Sequence, residues 1–261
     1  STYDAGTTTQ LMWGARSDVG CVRPHNEDSY LVQSPLFCVC DGMGGHAAGE
    51  VASSIAVETI AKTAPQSADA ARLAAAVEAA NAAVIEAALN GLGKPGMGCT
   101  ATCAYIENDT LAIAHVGDSR AYLLHEGTLI RVTRDHSYVE ELVDAGEITA
   151  DEARVHPNRS VITRALGSDP AMYADHFTLH IEEGDRLILC SDGLSSMIPD
   201  SDIENIATQS STAQICVDNL VDAALAAGGH DNVTVVVVDL VDDGVMRKAK
   251  RVRRRNVTIG V

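Results

Sequence analysis

Aromatic residues and long apolar runs are both scarce in this sequence. Phenylalanine, tryptophan and tyrosine make up 3% of its 261 residues, whereas hydrophobic residues as a whole make up 46%, so we expect a core of alanine, valine, leucine and isoleucine. No apolar run reaches the roughly 18 residues of a membrane span, and the first residues lack the pattern of a secretory signal peptide. The chain is long enough to bury a proper core without disulfide bonds or metals as staples.

Cysteines are few, and their number is odd. Most of the seven lie inside apolar, strand-like runs, which is typical of reduced thiols in the core of a cytosolic protein. Neither Cys38-x-Cys40 nor Cys99-x-x-x-Cys103 has a partner pair at the spacing of a zinc site. We therefore expect a cytoplasmic protein without structural zinc.

Basic residues are scarce outside one short segment. The chain has 19 Lys and Arg against 36 Asp and Glu, and seven of the basic residues fall in RKAKRVRRR (247–255). An acidic body should repel nucleic acid and could host divalent cations, although a merely solvated acidic surface also explains the charge. The basic segment is either a solvated linker or a stretch that contacts an anionic membrane surface, as in the cytoplasmic domain of a membrane-anchored protein. A nucleic-acid contact through it is the less favoured alternative.

Hydrophobic periodicity predicts clustered strands and consecutive helices. Apolar residues at steps of three and four from Leu73 to Ala87 give a helix over 69–89 one buried face, and a helix over 47–63 precedes it. Strands are predicted at 11–15, 29–33, 36–40, 99–106, 111–116, 120–125, 128–132, 176–181, 186–190 and 233–240, and further helices at 138–145, 149–153, 200–208 and 212–227.

This order of elements favours an α+β fold over a doubly wound parallel sheet. We predict a four-layer α-β-β-α sandwich, in which two antiparallel sheets are flanked by paired helices. The domain would span 11–241, after a flexible N-terminal segment at 1–10 and before a basic C-terminal tail or linker at 242–261. The segment 157–169 has no clear period and is predicted to be a surface flap.

The stretch LFCVCDGMGGHAAG (36–49) leads from a buried strand into a helix through a turn that contains Asp41. Gly42-x-Gly44-x-x-Ala47 formally fits the dinucleotide-binding fingerprint. That fold needs a second parallel strand, with an acidic residue about 20 positions on, where this chain is helical, so we reject it. An aspartate in such a turn is also ordinary helix capping, and the rest of the chain must decide its role.

Three further aspartates stand at the ends of predicted strands. Asp118 follows LAIAHVG, Asp192 follows RLILCS, and Asp231 shortly precedes VTVVVVDL. In an antiparallel sheet the end of one strand lies beside the start of its neighbour, so these carboxylates and that of Asp41 can converge. Cations would relieve their repulsion, and an all-oxygen ligand set favours Mg²⁺ or Mn²⁺. We predict a metal site, although each aspartate alone would be a turn residue.

Arg23, Glu27 and Asp28 lie just before the second predicted strand. The two carboxylates would enlarge the metal site, and a guanidinium can hold phosphate oxygens bidentately. A metal-rich site with one arginine suits phosphoryl chemistry. An ordinary ion pair between Arg23 and Glu27 or Asp28 is the alternative.

Six motifs in order resemble those of the PPM (type 2C) family of metal-dependent protein Ser/Thr phosphatases. They span residues 17–238, and DGMGGHAAGE together with HPNRS (156–160) is similar to the bacterial branch. The six are SDVGCVRPHNEDS (17–29), DGMGGHAAGE (41–50), GCTAT (98–102), GDSRAY (117–122), CSDGL (190–194) and GGHDNVTVVVV (228–238).

The resemblance implies the same α-β-β-α sandwich, with two Mn²⁺ or Mg²⁺ ions at one end of the sheets. By motif position, Asp41 would bridge both ions and the Gly42 carbonyl would bind the second. Asp192 and Asp231 would hold the first ion. Asp118 with Asp192 would offer the third-metal site that bacterial members often show.

The remaining motif residues would act around the ions. Glu27 and Asp28 would bind them through water, Arg23 would bind the substrate phosphate, and the 157–169 flap would influence substrate fit. Water shared by two cations becomes hydroxide near neutral pH and can attack phosphorus in line. The resemblance thus implies hydrolysis of phosphoserine and phosphothreonine in proteins, without a phosphoenzyme. The family also implies a cognate Ser/Thr protein kinase, and we expect a monomer.

Two positions depart from the family pattern. Met43 stands where many eukaryotic members have a histidine proposed as general acid; His46 and a metal-bound water are the other candidates. Cys99 stands where Thr or Ser is common, and we expect it to be a packing residue. The competing interpretation is a catalytically silent phosphoprotein-binding regulatory module. Such a protein would be expected to have lost a metal ligand, and none is missing here.

Overall fold

The computed structural model describes residues 1–7, 10–45 and 47–241. His46 and the basic segment 247–255 lie outside the described residues. The strands are β1 Thr2–Thr7, β2 Leu11–Asp18, β3 Asp28–Gln33, β4 Leu36–Met43, β5 Gly98–Cys99, β6 Ala101–Glu107, β7 Thr110–Val116, β8 Arg120–His125, β9 Thr128–Arg131, β10 Asp175–His180, β11 Arg186–Cys190 and β12 Val233–Leu240. The helices are α1 Ala48–Thr63, α2 Ala70–Leu89, α3 Tyr138–Asp144, α4 Ala150–Val155, α5 Asp192–Ser195, α6 Asp200–Gln209 and α7 Ala213–Ala226.

Two antiparallel sheets form the centre of the molecule. One has the strand order β1-β2-β12-β11-β8-β9, and the other has the order β10-β7-β6-β4-β3, with β5 paired to β4. Every strand pair is antiparallel. The predicted sandwich of antiparallel sheets and helices is therefore confirmed.

Three apolar clusters join the four layers. One lies between helices α1 and α2 and the sheet that contains β4 and β6. Another lies between the two sheets, where Phe37 and Val39 meet Leu189 and Val236. The third lies beneath α5, α6 and α7. Because small and branched aliphatic residues fill these layers, the scarcity of aromatic residues does not prevent a large core.

The N-terminus differs from the prediction, which made 1–10 a flexible segment. Thr2–Thr7 instead forms an edge strand on β2, with Gly6 opposite Trp13. A Cβ at Gly6 would lie 2.5 Å from the indole ring, so the glycine lets the strand pass Trp13. The Arg16 guanidinium also lies 5.2 Å from the centre of the Tyr3 ring. The strand is held by its neighbour, which the local sequence does not reveal.

The order of the strands places one set of ends together. Because neighbouring strands run in opposite directions, one edge of the sandwich brings together the starts of some strands and the ends of others. At this edge lie the final residues of β2, β4, β7 and β11 and the first residues of β8 and β12. The segment 157–169 reaches this edge through two single-residue bridges, Ile162 to Ser137 and Leu166 to Cys99. Among the residues that the structure describes, no helix is long and apolar enough to cross a membrane.

Candidate metal centre

A cleft of about 460 Å³ opens at the edge where these strand ends meet. Seven of the eight residues predicted to form the site line it, and the segment 157–169 contributes Ser160 and Ile162. The eighth, Asp28, is buried. The seven are Arg23, Glu27, Asp41, Gly42, Asp118, Asp192 and Asp231.

Three aspartates from different parts of the chain form the centre of the cleft. Asp41 lies within β4, Asp118 lies between β7 and β8, and Asp192 is the first residue of α5. Each offers a carboxylate oxygen, and the three atoms lie within 4.8 Å of one another. Burial and the charges of Asp28 and Asp192 raise the pKa of Asp41 well above its usual range. Burial and the charge of Asp192 do the same to the pKa of Asp118.

Asp28 stands directly opposite Asp41 in the β3–β4 pair. Like charges opposite one another destabilise a sheet, and burial raises the pKa of Asp28 to about 7. One of its oxygens accepts a hydrogen bond of 2.7 Å from the Thr234 hydroxyl, which partly offsets the effect of burial. Asp28 thus adds a fourth acidic group behind the three aspartates at the centre of the cleft.

Whether this site fits a metal can be judged from its buried carboxylate oxygens that lack hydrogen-bond partners. Asp28 Oδ1, Asp118 Oδ1 and Asp192 Oδ1 are buried and have no hydrogen-bond partner among the described residues. Leaving such atoms unpaired costs roughly 1–3 kcal/mol each, and more when they are charged. Divalent cations with oxygen preference would satisfy these atoms and offset the repulsion. The side chains present therefore fit Mn²⁺ or Mg²⁺.

Asp231 and Arg23 lie toward the mouth of the cleft. Asp231 Oδ1 accepts a hydrogen bond of 2.8 Å from the Asn232 backbone N–H, and burial together with the charge of Asp192 raises the pKa of Asp231. The Arg23 Nε atom lies 3.5 Å from the same oxygen, and the arginine side chain is 58% exposed. The ion pair of Arg23 is thus with Asp231, whereas the sequence suggested Glu27 or Asp28 as the alternative partners.

Two glycines allow the chain to pass closely around Glu27. The Gly42 N–H donates a hydrogen bond of 3.1 Å to the Glu27 carbonyl. A Cβ on Gly42 would lie 2.0 Å from the Gly49 carbonyl oxygen, and a Cβ on Gly49 would lie 2.4 Å from Glu27 Oε2. Side chains at either position would separate β4 from the first turn of α1, so glycine is required at both.

Asn232 is a site residue that the sequence analysis did not single out. Its side-chain oxygen accepts a hydrogen bond of 2.9 Å from the Glu27 N–H, and its amide nitrogen donates to the Val19 and His25 carbonyls at 2.9 Å. These bonds attach the loop that carries Arg23 and Glu27 to the start of β12. The signal available in the sequence was its position next to Asp231 in the motif GGHDN.

Thr100 and Ser119 were also missed. The Asp41 N–H donates a hydrogen bond of 2.9 Å to the Thr100 hydroxyl, which lies 2.7 Å from the Ser119 hydroxyl. The Thr100 N–H in turn donates to the Asp41 carbonyl at 2.9 Å. Cys99 beside them is fully buried, and its pKa is raised well above its usual range by a hydrogen bond with Cys40 and by burial. This agrees with the packing role expected for Cys99.

Comparison with known proteins adds an independent observation. The profile of the protein phosphatase 2C family matches residues 14–233. The serine/threonine protein phosphatase PstP of Mycobacterium tuberculosis is 43% identical over 244 residues, which cover 91% of this chain and 46% of that protein. The serine/threonine phosphatase stp of Listeria welshimeri is 37% identical over 236 residues, covering 86% of this chain and 94% of that protein.

A solved structure relates the fold to a metal. The catalytic domain of PstP in complex with two manganese ions superposes with a TM-score of 0.82 at 40% sequence identity, covering 89% of this chain and 99% of that one. The present chain spans about half the length of the first curated relatives it matches.

Proposed function

The chain belongs to the protein phosphatase 2C family, and on that premise we propose that it is a metal-dependent enzyme that hydrolyses phosphoserine and phosphothreonine in proteins. The convergence of the Asp41, Asp118 and Asp192 carboxylates within 4.8 Å carries this proposal. So many acidic groups in one buried cleft are stable together only when protons or cations offset their charge. Their position beside an exposed arginine suits a phosphate monoester as the substrate.

The ligands that we propose for the two ions are those that the positions of the family's motifs imply. Asp41 would contact both ions, the Gly42 carbonyl the second, and Asp192 and Asp231 the first. Glu27 and Asp28 would bind through water, and Asp118 with Asp192 would hold a third ion. We propose Mn²⁺ or Mg²⁺, and the manganese complex of the related structure supports Mn²⁺. When bound, such ions lower the pKa of coordinated water and offset negative charge on the phosphate.

The residues of the chain itself would bind and orient the substrate. Arg23, exposed at the mouth of the cleft, is free to exchange its 3.5 Å contact with Asp231 for phosphate oxygens. Ser160 and Ile162 border the same cleft, so the segment 157–169 would contact residues that flank the phosphoamino acid. The Met43 side chain cannot donate a proton to the leaving alkoxide, and this proton must come from another donor.

The proposed activity implies partners. Phosphorylated proteins are the substrates, and a Ser/Thr protein kinase must produce them. We further propose that the chain acts as a monomer at the cytoplasmic side of a membrane, with residues 247–255 against anionic lipids. Equal binding to anionic vesicles with and without residues 247–255 would contradict the membrane contact.

Phosphate release from a phosphothreonine peptide tests the proposal. We expect turnover that requires Mn²⁺ and falls by about 10²-fold or more in Asp41→Ala and in Asp192→Ala, because each removes charge that positions the reacting groups. Glu78→Ala, which removes an exposed carboxylate on α2, is the matched control and should retain full activity. Tight Mn²⁺ binding by calorimetry without turnover would instead favour a regulatory module that binds phosphoproteins.

A further inference from the structure

His136 binds both backbone polar atoms of the residue before Asp118. Its side chain is 3% exposed. The His136 N–H donates a hydrogen bond of 2.8 Å to the Gly117 carbonyl, and His136 Nδ1 accepts one of 2.9 Å from the Gly117 N–H. Gly117 has φ +107°, and a Cβ there would lie 2.5 Å from the Thr100 side chain. Gly117 is therefore required, and because glycine is conformationally free, it needs partners that fix it.

The other ring nitrogen of His136 bonds Asp175, which is not among the described residues that line the cleft. Since Nδ1 accepts a hydrogen bond, the proton is on Nε2, which donates to Asp175 Oδ2 at 2.8 Å. The same carboxylate accepts a hydrogen bond of 2.7 Å from Arg164 Nη1. The Arg164 guanidinium lies 4.3 Å from the centre of the Tyr173 ring. Through Asp175, the imidazole is therefore connected to an arginine of the segment 157–169.

The backbone around His136 connects to the same segment. The Thr163 N–H donates a hydrogen bond of 2.9 Å to the His136 carbonyl, and the next residue, Ser137, bridges to Ile162. Ile162 borders the cleft. One buried residue thus contacts the loop that carries Asp118 on one side and the segment that borders the substrate cleft on the other.

We propose that His136 is a positioning residue with two separable contacts. Nδ1 holds the Asp118 carboxylate in place for a metal ion through Gly117, and Nε2 holds the segment 157–169 through Asp175 and Arg164. This inference rests on the proposed function, because it gives Asp118 a metal to bind.

A neighbouring histidine provides the comparison. His115 is also buried, and its ring lies 5.0 Å from that of His136. It bonds the Thr102 hydroxyl at 3.0 Å and the Arg134 carbonyl at 2.9 Å, and neither partner adjoins Asp118 in the chain or, among the described residues, bonds a side chain of the segment 157–169. His115 should therefore contribute to stability alone, which makes it the matched control for His136.

Two substitutions separate the contacts of His136. The side-chain oxygen of asparagine can take the place of Nδ1 but cannot reach Asp175, whereas the amide of glutamine can take the place of Nε2 and leaves the Gly117 N–H without its acceptor. Asp118→Asn should abolish one Mn²⁺ binding step. We expect His136→Gln to weaken the affinity of that same step about tenfold, as is typical when a residue behind a ligand is lost. We expect His136→Asn to leave that step unchanged.

The second readout is amide hydrogen exchange in 157–169. It should speed up about tenfold in His136→Asn and remain unchanged in His136→Gln, because only the asparagine loses the link to Asp175. His115→Asn should lower the melting temperature without changing either readout. Mn²⁺ isotherms and hydrogen exchange need no turnover, so a chain that binds Mn²⁺ but lacks phosphatase activity would refute the proposed function and still test this inference.

The inference is wrong if both His136 variants lower the melting temperature but change neither Mn²⁺ binding nor hydrogen exchange in 157–169, as expected for His115→Asn. If neither His136 variant folds, Asp175→Ala breaks the Nε2 contact from the other side. In that variant, amide hydrogen exchange in 157–169 should become faster while the Mn²⁺ isotherm stays the same. Hydrogen exchange as slow as in the natural protein would overturn the proposal.

Discussion

The acidic residues of the candidate metal centre are individually unfavourable for folding. Asp28 and Asp41 face each other in adjacent strands, and burial raises the pKa of both. Natural proteins keep such groups where function requires them and compensate elsewhere in the fold. Here the Thr234 hydroxyl donates to the Asp28 carboxylate, and the Thr100 and Asn232 side chains fix the backbone of Asp41 and Glu27.

A residue-scale prediction concerns His115, whose pKa is lowered to about 4, first by burial and then by the neighbouring His136. In the unfolded chain the imidazole takes up a proton below about pH 6.5, whereas in the folded protein it stays neutral down to about pH 4. The stability that depends on neutral His115 is therefore complete above pH 6.5 and is lost as the pH falls toward 4. As the pH falls toward 4, the contribution of His115 to the free energy of unfolding should decrease by about 3 kcal/mol.

Urea unfolding of the metal-free protein and of His115→Gln between pH 7 and pH 4 measures this effect. Glutamine does not titrate, so the stability advantage of the natural protein over the variant should shrink steadily as the pH falls. An advantage that stays constant over this range would show that His115 is not the titrating group.

Single residues also show what a sequence can reveal about a site. Asp41, Asp118, Asp192 and Asp231 were predicted because each occupies the end of an apolar strand, which is a local pattern. Asn232 and His136 were not, because their roles depend on hydrogen bonds to backbone atoms far away in the sequence. No spacing rule identifies the carbonyl of Val19 as the partner of Asn232.

At the scale of elements, the glycines beyond the two ends of β11 differ in the space available for a side chain. Beyond its C-terminal end, a Cβ on Gly193 would lie 1.9 Å from the Asn232 carbonyl oxygen. We expect Gly193→Ala to lower the free energy of unfolding by about 1–3 kcal/mol through overpacking. It should also weaken Mn²⁺ binding, because α5 must shift and Asp192 is its first residue.

Gly184→Ala, before the other end of β11, is the control. No atom lies within 4 Å of a Cβ there, although φ is +92°, so this variant should lose about 1 kcal/mol through backbone strain and keep its Mn²⁺ affinity. Calorimetric titration with Mn²⁺ and urea unfolding measure both variants. Equal Mn²⁺ affinities in the two would contradict the role assigned to Gly193.

The elements that the sequence failed to predict are short or depend on pairing. Helix α5 has four residues, too few to show a helical period. β4 continues three residues beyond its predicted end at Cys40, because Asp41 pairs with Asp28 and Gly42 pairs with Cys99. The long α1 and α2 were predicted to within a residue at either end, since each shows its period over four or more turns.

At the scale of the whole molecule, metal binding should govern stability. At a free Mn²⁺ concentration 100 times the dissociation constant, one site adds about 2.7 kcal/mol to the free energy of unfolding. For a chain of this size that corresponds to a rise in melting temperature of about 5–10 °C. Because several carboxylates in the site have raised pKa values, binding should also release protons.

Thermal unfolding with a chelator and with added Mn²⁺ tests this dependence. Asp41→Asn should be more stable than the natural protein in chelator, since it removes one of the repelling charges, and should gain less from Mn²⁺. A variant that gains as much as the natural protein would exclude Asp41 as a ligand.

The position of β12 between β2 and β11 has a consequence for synthesis of the protein. The ribosome releases β12 more than 200 residues after β2, roughly 10 to 40 s later at ordinary translation rates. Throughout that interval the nascent chain lacks Asp231 and the strand that pairs with both β2 and β11. We therefore expect no phosphatase activity from a nascent chain that ends before β12. β2, covered by β1 on one edge alone, is where a chaperone would most need to bind.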